Sequence, residues 1–214
     1  MRENMPGLTL NVRLRVKPDD SSTTYEISTK HVEWNPEKVA VIICDMWETH
    51  HCISTAERVG EMAPRMNQVI AGMRKSGSLI IHSPWSCMEF YDNTPQRRRA
   101  QDAPHVNVGV EFGGFHWNQA REIGQLEEFP LPIGITDPGP CSCHTSDPCC
   151  KKVFHTMIRQ IETIEIASED AISDQGQEVY NLLQQRGIEH IVIMGIAVNV
   201  CVLEETPETG SLWM

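Results

Sequence analysis

The first part of the chain alternates apolar and polar side chains, and this pattern changes at residue 39. Strict alternation over residues 8–16 predicts a strand with one apolar face, because successive side chains of a strand point to opposite sides. A polar stretch containing Pro18 follows, and then a short apolar segment at residues 25–27. We therefore expect residues 1–37 to form an exposed hairpin or arm.

Apolar runs predict the strands of a core sheet. They lie at residues 39–44, 78–82 and 190–194, and runs of this kind are typical of strands buried on both faces of a parallel sheet. A further strand is expected at residues 161–166, where isoleucine recurs.

Two segments between these strands carry apolar residues at steps of three and four, which predicts amphipathic helices. The first spans residues 59–73 and can end at Gly77. The second can begin after Ser173 or Asp174 and end at Gly187.

The order of these elements predicts an α/β fold. Strand, helix, strand, long insert, strand, helix and strand indicate a right-handed, doubly wound parallel sheet of Rossmann-like type. No boundary divides the chain, so we expect a single domain over residues 1–214. The insert at residues 85–160 is rich in Pro, Gly, His and Cys and has little periodicity, which predicts either active-site loops or an oligomer arm.

Composition and charge restrict the classes of partner. Hydrophobic residues make up 40% of the chain and charged residues 22%, which are ordinary values for a globular domain. The net charge of −11 disfavours binding to nucleic acid and to anionic membranes. We interpret the basic cluster at residues 97–99 as a solvated helix face, and we expect no nucleic-acid partner.

The sequence predicts a cytoplasmic protein that does not enter a membrane. No apolar run approaches the roughly 18 to 20 residues that span a bilayer, and the first ten residues lack the apolar block of a secretory signal. The eight cysteines are therefore expected to be reduced thiols rather than disulfides. A secreted form lacking its leader would give the same sequence.

Three polar residues follow predicted strands at the edge where ligands bind in open α/β sheets. Asp45 ends the first core strand, His82 ends the second, and Cys201 lies seven residues beyond Met194. If Cys201 opens a helix after a tight turn, the helix amides favour its thiolate and supply donors for a developing oxyanion. Cys201 is therefore a candidate nucleophile, although a small buried cysteine would also fit.

These residues form a pattern that resembles the isochorismatase-like hydrolases, which include nicotinamidases and carbamoylsarcosine amidases. The pattern is an apolar strand, an Asp, an amphipathic helix, and Gly-x-Ala-x-Asn-x-Cys-Val at residues 195–202 after another apolar strand. The resemblance covers residues 38–84 and 161–203 and leaves the insert unmatched.

The resemblance implies a covalent mechanism without a cofactor. Asp45 takes the place of the base and Cys201 that of the nucleophile that attacks an amide or related acyl carbon. The backbone amides of Ala197 and Cys201 take the positions of the oxyanion hole, with a cis peptide between Ile196 and Ala197.

A small-molecule substrate is expected at this edge. The candidate pocket residues are His50, His51, His82, Trp85, Phe90 and Asn199. Aromatic side chains can stack on a planar substrate or pack in the core. Histidine and cysteine are also zinc ligands, but the metal-binding members of the family that the chain resembles carry an Asp-x-His after the second strand, and residues 83–85 offer no such carboxylate. The thiol-rich residues 141–150 lack the two-residue spacing of a structural zinc site, so we expect no metal.

Two features depart from the family pattern. The family's lysine, expected after the strand at 161–166, is missing, and Arg159 is the candidate replacement cation. The helix after Cys201 meets Pro207 within two turns. This predicts a truncated sheet with an open edge that a partner subunit can cover, hence a homo-oligomer.

Three functions remain open at this point. The first is a cysteine hydrolase of a small amide or related acyl compound. The second is a catalytically impaired relative that acts as a ligand-binding or assembly module. The third is hydrolysis of a vinyl ether of the isochorismatase type.

Overall fold

The computed structural model describes residues 7–19, 24–50, 53–107 and 157–196. Within them the chain forms a two-stranded hairpin and a mixed α/β unit, in which helices flank a four-stranded parallel sheet. This arrangement is compatible with a Rossmann-like fold.

The predicted hairpin is confirmed. Strand β1 (Leu8–Val16) pairs antiparallel with β2 (Glu26–Trp34), and Leu8 lies opposite Trp34 while Val16 lies opposite Glu26. Every residue of the two strands is exposed or only partly buried, in agreement with the prediction of an exposed arm.

The core sheet consists of β3 (Val39–Cys44), β4 (Leu79–Ser83), β5 (Ala171–Ile172) and β6 (His190–Gly195). All pairings are parallel, and the spatial order is β5-β4-β3-β6. The chain moves from β3 outward to β4 and β5, and then returns to the other side of β3. The order of the strands therefore reverses between β3 and β6, which is where open α/β sheets bind ligands.

Side chains of the central strands alternate between two apolar clusters, one on each face of the sheet. On one face, Ala40 and Ile42 of β3 pack with the last helix of the described chain, and on the other, Val41 and Ile43 pack with the first. All residues of β3 and β4 are buried, whereas all six residues of β6 are only partly buried. The sequence predicted β6 as a fully buried strand, and its position at the end of the described strand order explains the difference.

The first predicted helix is α1 (Ile53–Lys75). Its buried residues recur along one face: Val59, Ala63, Met66 and Ile70. Gly77 ends the helix as predicted, with φ of 91°. Its N–H donates to the backbone carbonyl of Arg74, and the N–H of Ser78 donates to the backbone carbonyl of Met73. These two bonds form the Schellman pattern.

The last helix, α3 (Gly176–Arg186), ends at Gly187 with φ of 58°, as predicted. Its start differs from the prediction, because the N-cap position is Gln175 rather than Ser173 or Asp174, and no side chain caps the helix. The hydroxyl of Ser173 instead accepts the N–H of Gln175 (3.0 Å), the residue just before the first helical residue.

The prediction of a strand at 161–166 is wrong. The N–H of Ile164 bonds to the carbonyl of Ile161 (3.1 Å), so this segment turns. The two isoleucines pack on the α1 side of the sheet from that turn, and the strand that joins the sheet is β5, five residues later.

The insert at residues 85–160 is not wholly irregular. It contains α2 (Pro95–Gln101), which begins at Thr94, whose hydroxyl accepts the N–H of Arg97 (3.2 Å). The interpretation of residues 97–99 as a solvated face is wrong for Arg97. Its side chain is buried, forms an ion pair with Glu178, and donates to the carbonyl of Ile172.

Gly195 lies against the backbone of Cys44 at the end of β3. Its φ is 153°, and a Cβ atom built there would lie 1.9 Å from the carbonyl oxygen of Cys44. We expect Gly195→Ala to lower the free energy of unfolding by about 2–4 kcal/mol, because backbone must shift to admit the methyl group. Urea unfolding followed by circular dichroism measures this.

Gly72→Ala is the matched control. Gly72 lies in α1, and a Cβ atom there would have no neighbour within 4 Å. The same added methyl group should raise the free energy of unfolding by up to about 1 kcal/mol through helix propensity. Equal effects of the two substitutions would contradict the close approach at Gly195.

None of the helices in the described ranges combines the length and apolar composition needed to cross a bilayer.

Candidate active site

Asp45 lies at the carboxyl end of β3, beside the point of strand reversal, and is fully buried. Its backbone has φ of 54°, in the left-handed region. Non-glycine residues rarely adopt this conformation in a buried position, and such outliers cluster at functional sites. The backbone N–H of Asp45 donates to the backbone carbonyl of Ser83 (3.1 Å), and the carbonyl of Asp45 accepts the backbone N–H of Trp47 (2.8 Å).

The carboxylate of Asp45 is oriented by the loop after β4. Its Oδ1 accepts the backbone N–H of Trp85 (3.0 Å), and the carbonyl of Trp85 accepts the indole N–H of Trp47 (2.9 Å). Trp85 is therefore fixed through its backbone, while 52% of the residue surface stays exposed. Its predicted role as a pocket wall stays a prediction.

Asp45 and the end of β6 lie side by side. Cys44 pairs with Gly195 in the sheet, and the N–H of Ile196 donates to the carbonyl of Cys44 (3.3 Å). Strand β6, which precedes the candidate cysteine in the sequence, therefore ends next to Asp45.

Two described cysteines lie near this edge, and neither has the properties of a nucleophile. Cys44 is buried within β3. Burial, together with the charges of Asp45 and Asp174, raises the pKa of the Cys87 thiol to about 12, and its sulfur donates to the carbonyl of Pro84 (3.1 Å). Because the thiolate is the reactive form, Cys87 stays inert at neutral pH.

His82 was predicted to face the pocket, but the structure gives it two protein partners. It is fully buried, with Nδ1 3.0 Å from Oε1 of Gln160 and Nε2 3.1 Å from Oδ2 of Asp170. Both ring nitrogens are engaged, so His82 connects elements beneath the site.

Asp170 is the centre of this buried network, and it was not among the site residues predicted from the sequence. Two charged hydrogen bonds join it to Arg74 (2.9 and 2.7 Å), and its Oδ2 also accepts the N–H of Ala167 (2.8 Å). Burial alone would raise the pKa of Asp170, but the hydrogen bonds from His82 and Arg74 outweigh it and hold the pKa below its usual value. The only sequence signal was an acidic residue directly before β5.

Arg159, the candidate replacement cation, lies beside the loop after β3, but carboxylates neutralise it. Its Nε donates to Glu48 (2.6 Å) and its Nη1 contacts Glu162 (2.5 Å). The guanidinium carbon is 5.7 Å from the ring centroid of Phe90. The carbonyl of Arg159 also accepts the N–H of Glu48 (3.0 Å), which ties the two loops together.

The other predicted pocket residues divide into two groups. His50 is partly buried and stacks on Trp47, with ring centroids 5.2 Å apart, and Phe90 is 53% exposed. The remaining ones lie outside the described residues: His51, Ala197, Asn199 and Cys201. The peptide between residues 196 and 197 and the thiol-rich residues 141–150 also lie outside them.

Among the described residues, no group of three or more His, Cys, Asp and Glu side chains is placed to hold a metal ion. A cavity of about 270 Å³ lies between Trp34, α3 and the start of β6. It is at the amino end of the strands, away from Asp45, where open α/β sheets do not bind their ligands.

No protein-family model and no curated protein matches the chain.

Proposed function

We propose that this chain is a cysteine hydrolase of a small amide or related acyl compound, of the isochorismatase-like type, with Asp45 as base and Cys201 as nucleophile. The observation that carries the proposal is the buried, left-handed Asp45 at the carboxyl end of β3, next to the point where strand order reverses.

The chain connectivity supports the pairing of these two residues. Ile196 is hydrogen bonded to Cys44, the neighbour of Asp45. Cys201 follows Ile196 by five residues, a covalent reach of at most about 18 Å. A turn followed by a helix start would place the Cys201 thiol over Asp45 well within that reach.

In the proposed reaction, Asp45 accepts the proton of the Cys201 thiol while the sulfur attacks the acyl carbon. The tetrahedral intermediate collapses to a thioester, and the leaving amine takes the proton from Asp45. A water molecule then gives a proton to Asp45 and attacks the thioester. Collapse of this second intermediate releases the acid and expels the Cys201 sulfur, which takes the proton back from Asp45, so that the thiol and the carboxylate are both restored.

The charge balance of the first step bears on the missing lysine. Transfer of the proton from sulfur to carboxylate moves one negative charge between neighbouring groups and creates no new charge. The step therefore needs less help from a cation than ionisation of the thiol to solvent would. Arg159 is already paired with Glu48 and Glu162. In this scheme it would hold the loop after β3 in place and would not contact the reacting atoms.

The experiment is a screen of small amides, including nicotinamide and N-carbamoyl amino acids, for release of ammonia by the full chain. We expect at least one amide to be hydrolysed and Cys201→Ala to lower the rate by about 10³-fold or more, with unchanged circular dichroism. Mass spectrometry of the quenched reaction should find an acyl group on Cys201. Turnover that survives in Cys201→Ala would contradict the proposal.

One observation favours a second candidate, a non-catalytic module that binds a small ligand at the same edge. The described guanidinium groups near the site are paired with carboxylates, Arg159 with Glu48 and Arg74 with Asp170. If the Cys201 thiol is not activated, the pocket would bind without turnover. Ligand binding detected by calorimetry for an amide that is never hydrolysed would favour this candidate.

A further inference from the structure

The turn after β4 contains a second strained residue at the edge of the sheet that carries Asp45. Among the described residues, Asp45 and Ser86 are the only non-glycine residues with a left-handed backbone, with φ of 54° and 68°. Such outliers cost free energy, persist only where surrounding contacts hold them, and cluster at functional sites. The backbone of Ser86 must therefore be held in place by its neighbours.

Residues 84–87 form a β-turn. The N–H of Cys87 donates to the carbonyl of Pro84 (3.2 Å), and the positive φ lies at the third residue, Ser86. These are the features of a type II turn, whose third position is usually glycine. A type I turn would connect the same ends with a negative φ at Ser86, after a half rotation of the peptide between Trp85 and Ser86. The chain therefore adopts the less favourable of the two turns for a serine.

The buried indole of Trp47 selects the type II turn. Trp47 is 3% exposed, and its indole N–H donates to the carbonyl of Trp85 (2.9 Å). Rotation of the peptide to the type I position would turn this carbonyl away and leave the buried indole without its acceptor. That loss offsets the strain of one left-handed serine. The hydrogen bond from Trp47 therefore holds Ser86 in its left-handed conformation.

The fixed peptide presents its N–H to the outside. The C=O and N–H of a trans peptide point in opposite directions. Since the carbonyl of Trp85 points at a buried indole, the N–H of Ser86 points away from the interior. Ser86 is exposed, and none of the described residues accepts its N–H. The turn therefore holds a backbone donor ready for a ligand.

This donor lies close to the proposed base. The N–H of Trp85 is 3.0 Å from Oδ1 of Asp45, and Ser86 is the next residue along the chain. Because consecutive Cα atoms are about 3.8 Å apart, the nitrogen of Ser86 lies within about 7 Å of the carboxylate. A small molecule whose reacting bond is at Asp45 can therefore reach the N–H of Ser86 with a neighbouring group.

The charge at the turn restricts the group that this N–H can bind. Burial, and then the negative charges of Asp45 and Asp174, raise the pKa of the Cys87 thiol at the end of the turn to about 12. The potential there is negative, so an anionic group is repelled. The cation that contacts the nearby Phe90, Arg159, is already paired with carboxylates. An uncharged oxygen or nitrogen acceptor therefore fits the donor best.

We propose that the backbone N–H of Ser86 binds the substrate, and that Trp47 positions this N–H by fixing the turn. The substrate is then a small amide with a second, uncharged hydrogen-bond acceptor beside the bond that is cleaved. This inference rests on the proposed function for its reaction, but neither the conformation of the turn nor binding to it depends on turnover. The donor determines specificity and is separate from the oxyanion hole expected at Ala197 and Cys201.

The first test determines the turn by NMR of the isotope-labelled full chain. In a type II turn the Hα of Trp85 lies close to the N–H of Ser86, whereas in a type I turn the N–H groups of these two residues lie close together. The wild-type chain should show the first NOE. Trp47→Phe, which keeps an aromatic ring but lacks the donor, should show the second. Adding Ser86→Gly to Trp47→Phe should restore the first, because glycine readily adopts a positive φ.

The second test measures binding by saturation-transfer NMR in the Cys201→Ala background, so that hydrolysis does not consume the probes. Three probes of similar size differ only in the group beside their amide. Malonamide carries an uncharged acceptor there, 3-methylbutanamide an isopropyl group, and malonamate a carboxylate. Malonamide should bind at least about tenfold more tightly than either of the others. This preference should be lost in Trp47→Phe and restored when Ser86→Gly is added.

Restoration by glycine separates the proposed role from simple packing, because Ser86→Gly cannot replace the bulk that Trp47→Phe removes. A type I turn in the wild-type chain, or a Trp47→Phe chain that keeps both the type II turn and the preference for malonamide, would overturn the proposal. So would malonamide that binds no more tightly than the other probes. The wild-type NOE and the comparison of probes need no substitution at Trp47, so they test the proposal even if Trp47→Phe does not fold. The expected results without hydrolysis of any amide would refute the proposed reaction and leave the donor at Ser86 supported.

Discussion

Asp45→Asn is expected to lower kcat by about 10³-fold while the protein remains folded. A positioned general base contributes about 10²–10⁴-fold to a rate, and asparagine cannot accept the thiol proton. Asparagine tolerates the left-handed φ of 54° seen at this position. Its amide oxygen can still accept the N–H of Trp85, so the loop after β4 should keep its place. Steady-state kinetics on an amide from the screen measure the effect.

Asp174→Asn is the control for charge alone. Asp174 follows β5 at the same edge of the sheet, and its charge, like that of Asp45, raises the pKa of Cys87. Its removal changes the electrostatic potential of the site without removing the proposed base, so kcat should change by less than about tenfold. Equal losses in the two variants would mean that Asp45 acts through its charge and not as a proton acceptor.

Asp170→Asn is expected to lower the free energy of unfolding by about 3 kcal/mol or more. Asp170 is 1% exposed and binds both Arg74 and His82. Its neutralisation would leave the guanidinium of Arg74 partly buried without its main counter-charge. Urea unfolding at neutral pH measures the change.

Glu165→Gln is the matched control, because Glu165 also pairs with Arg74 but is largely exposed and lies 3.9 Å away. An exposed ion pair contributes about 1 kcal/mol or less, so this substitution should have a small effect. Similar losses from both substitutions would contradict a stabilising role for the buried network.

The same network predicts a pH dependence of stability. The pKa of Asp170 is lower in the folded chain than its ordinary value of 3.8. Its contribution to stability is therefore fully present above pH 3.8 and is lost as the pH falls from there through the folded pKa. Acid titration should show a loss of stability in that window that is smaller in Asp170→Asn than in the wild-type chain.

Three of the four core strands, the hairpin and the position of Asp45 could be predicted from the sequence because they depend on local pattern. The apolar run 39–44 ends at a charged residue, and in a parallel sheet such an end lies at the ligand-binding edge. The left-handed backbone of Asp45 has no local signal, since Asp45 is held by contacts with the end of β4 and the loop that follows it.

The errors arose where contacts distant in sequence decide the structure. His82 follows a strand like a pocket residue, but Gln160 and Asp170, 78 and 88 residues later, enclose it. Arg97 lies in a basic run that would be solvated in an isolated helix, but Glu178 on α3 supplies a buried partner. The pattern of residues 161–166 fits a strand and a turn equally well, and packing against α1 favours the turn.

The most direct test of the proposed chemistry is the rate at which iodoacetamide alkylates Cys201 as a function of pH. Peptide mapping would compare the wild-type chain with Asp45→Asn, and Cys87, with a pKa of about 12, serves as an unreactive internal reference. At about pH 6.5, Cys201 should react at least about tenfold faster in the wild-type chain than in Asp45→Asn, because Asp45 accepts the thiol proton. Identical profiles in both chains, with a midpoint near the ordinary thiol pKa of about 8.5, would contradict a catalytic pair of Asp45 and Cys201.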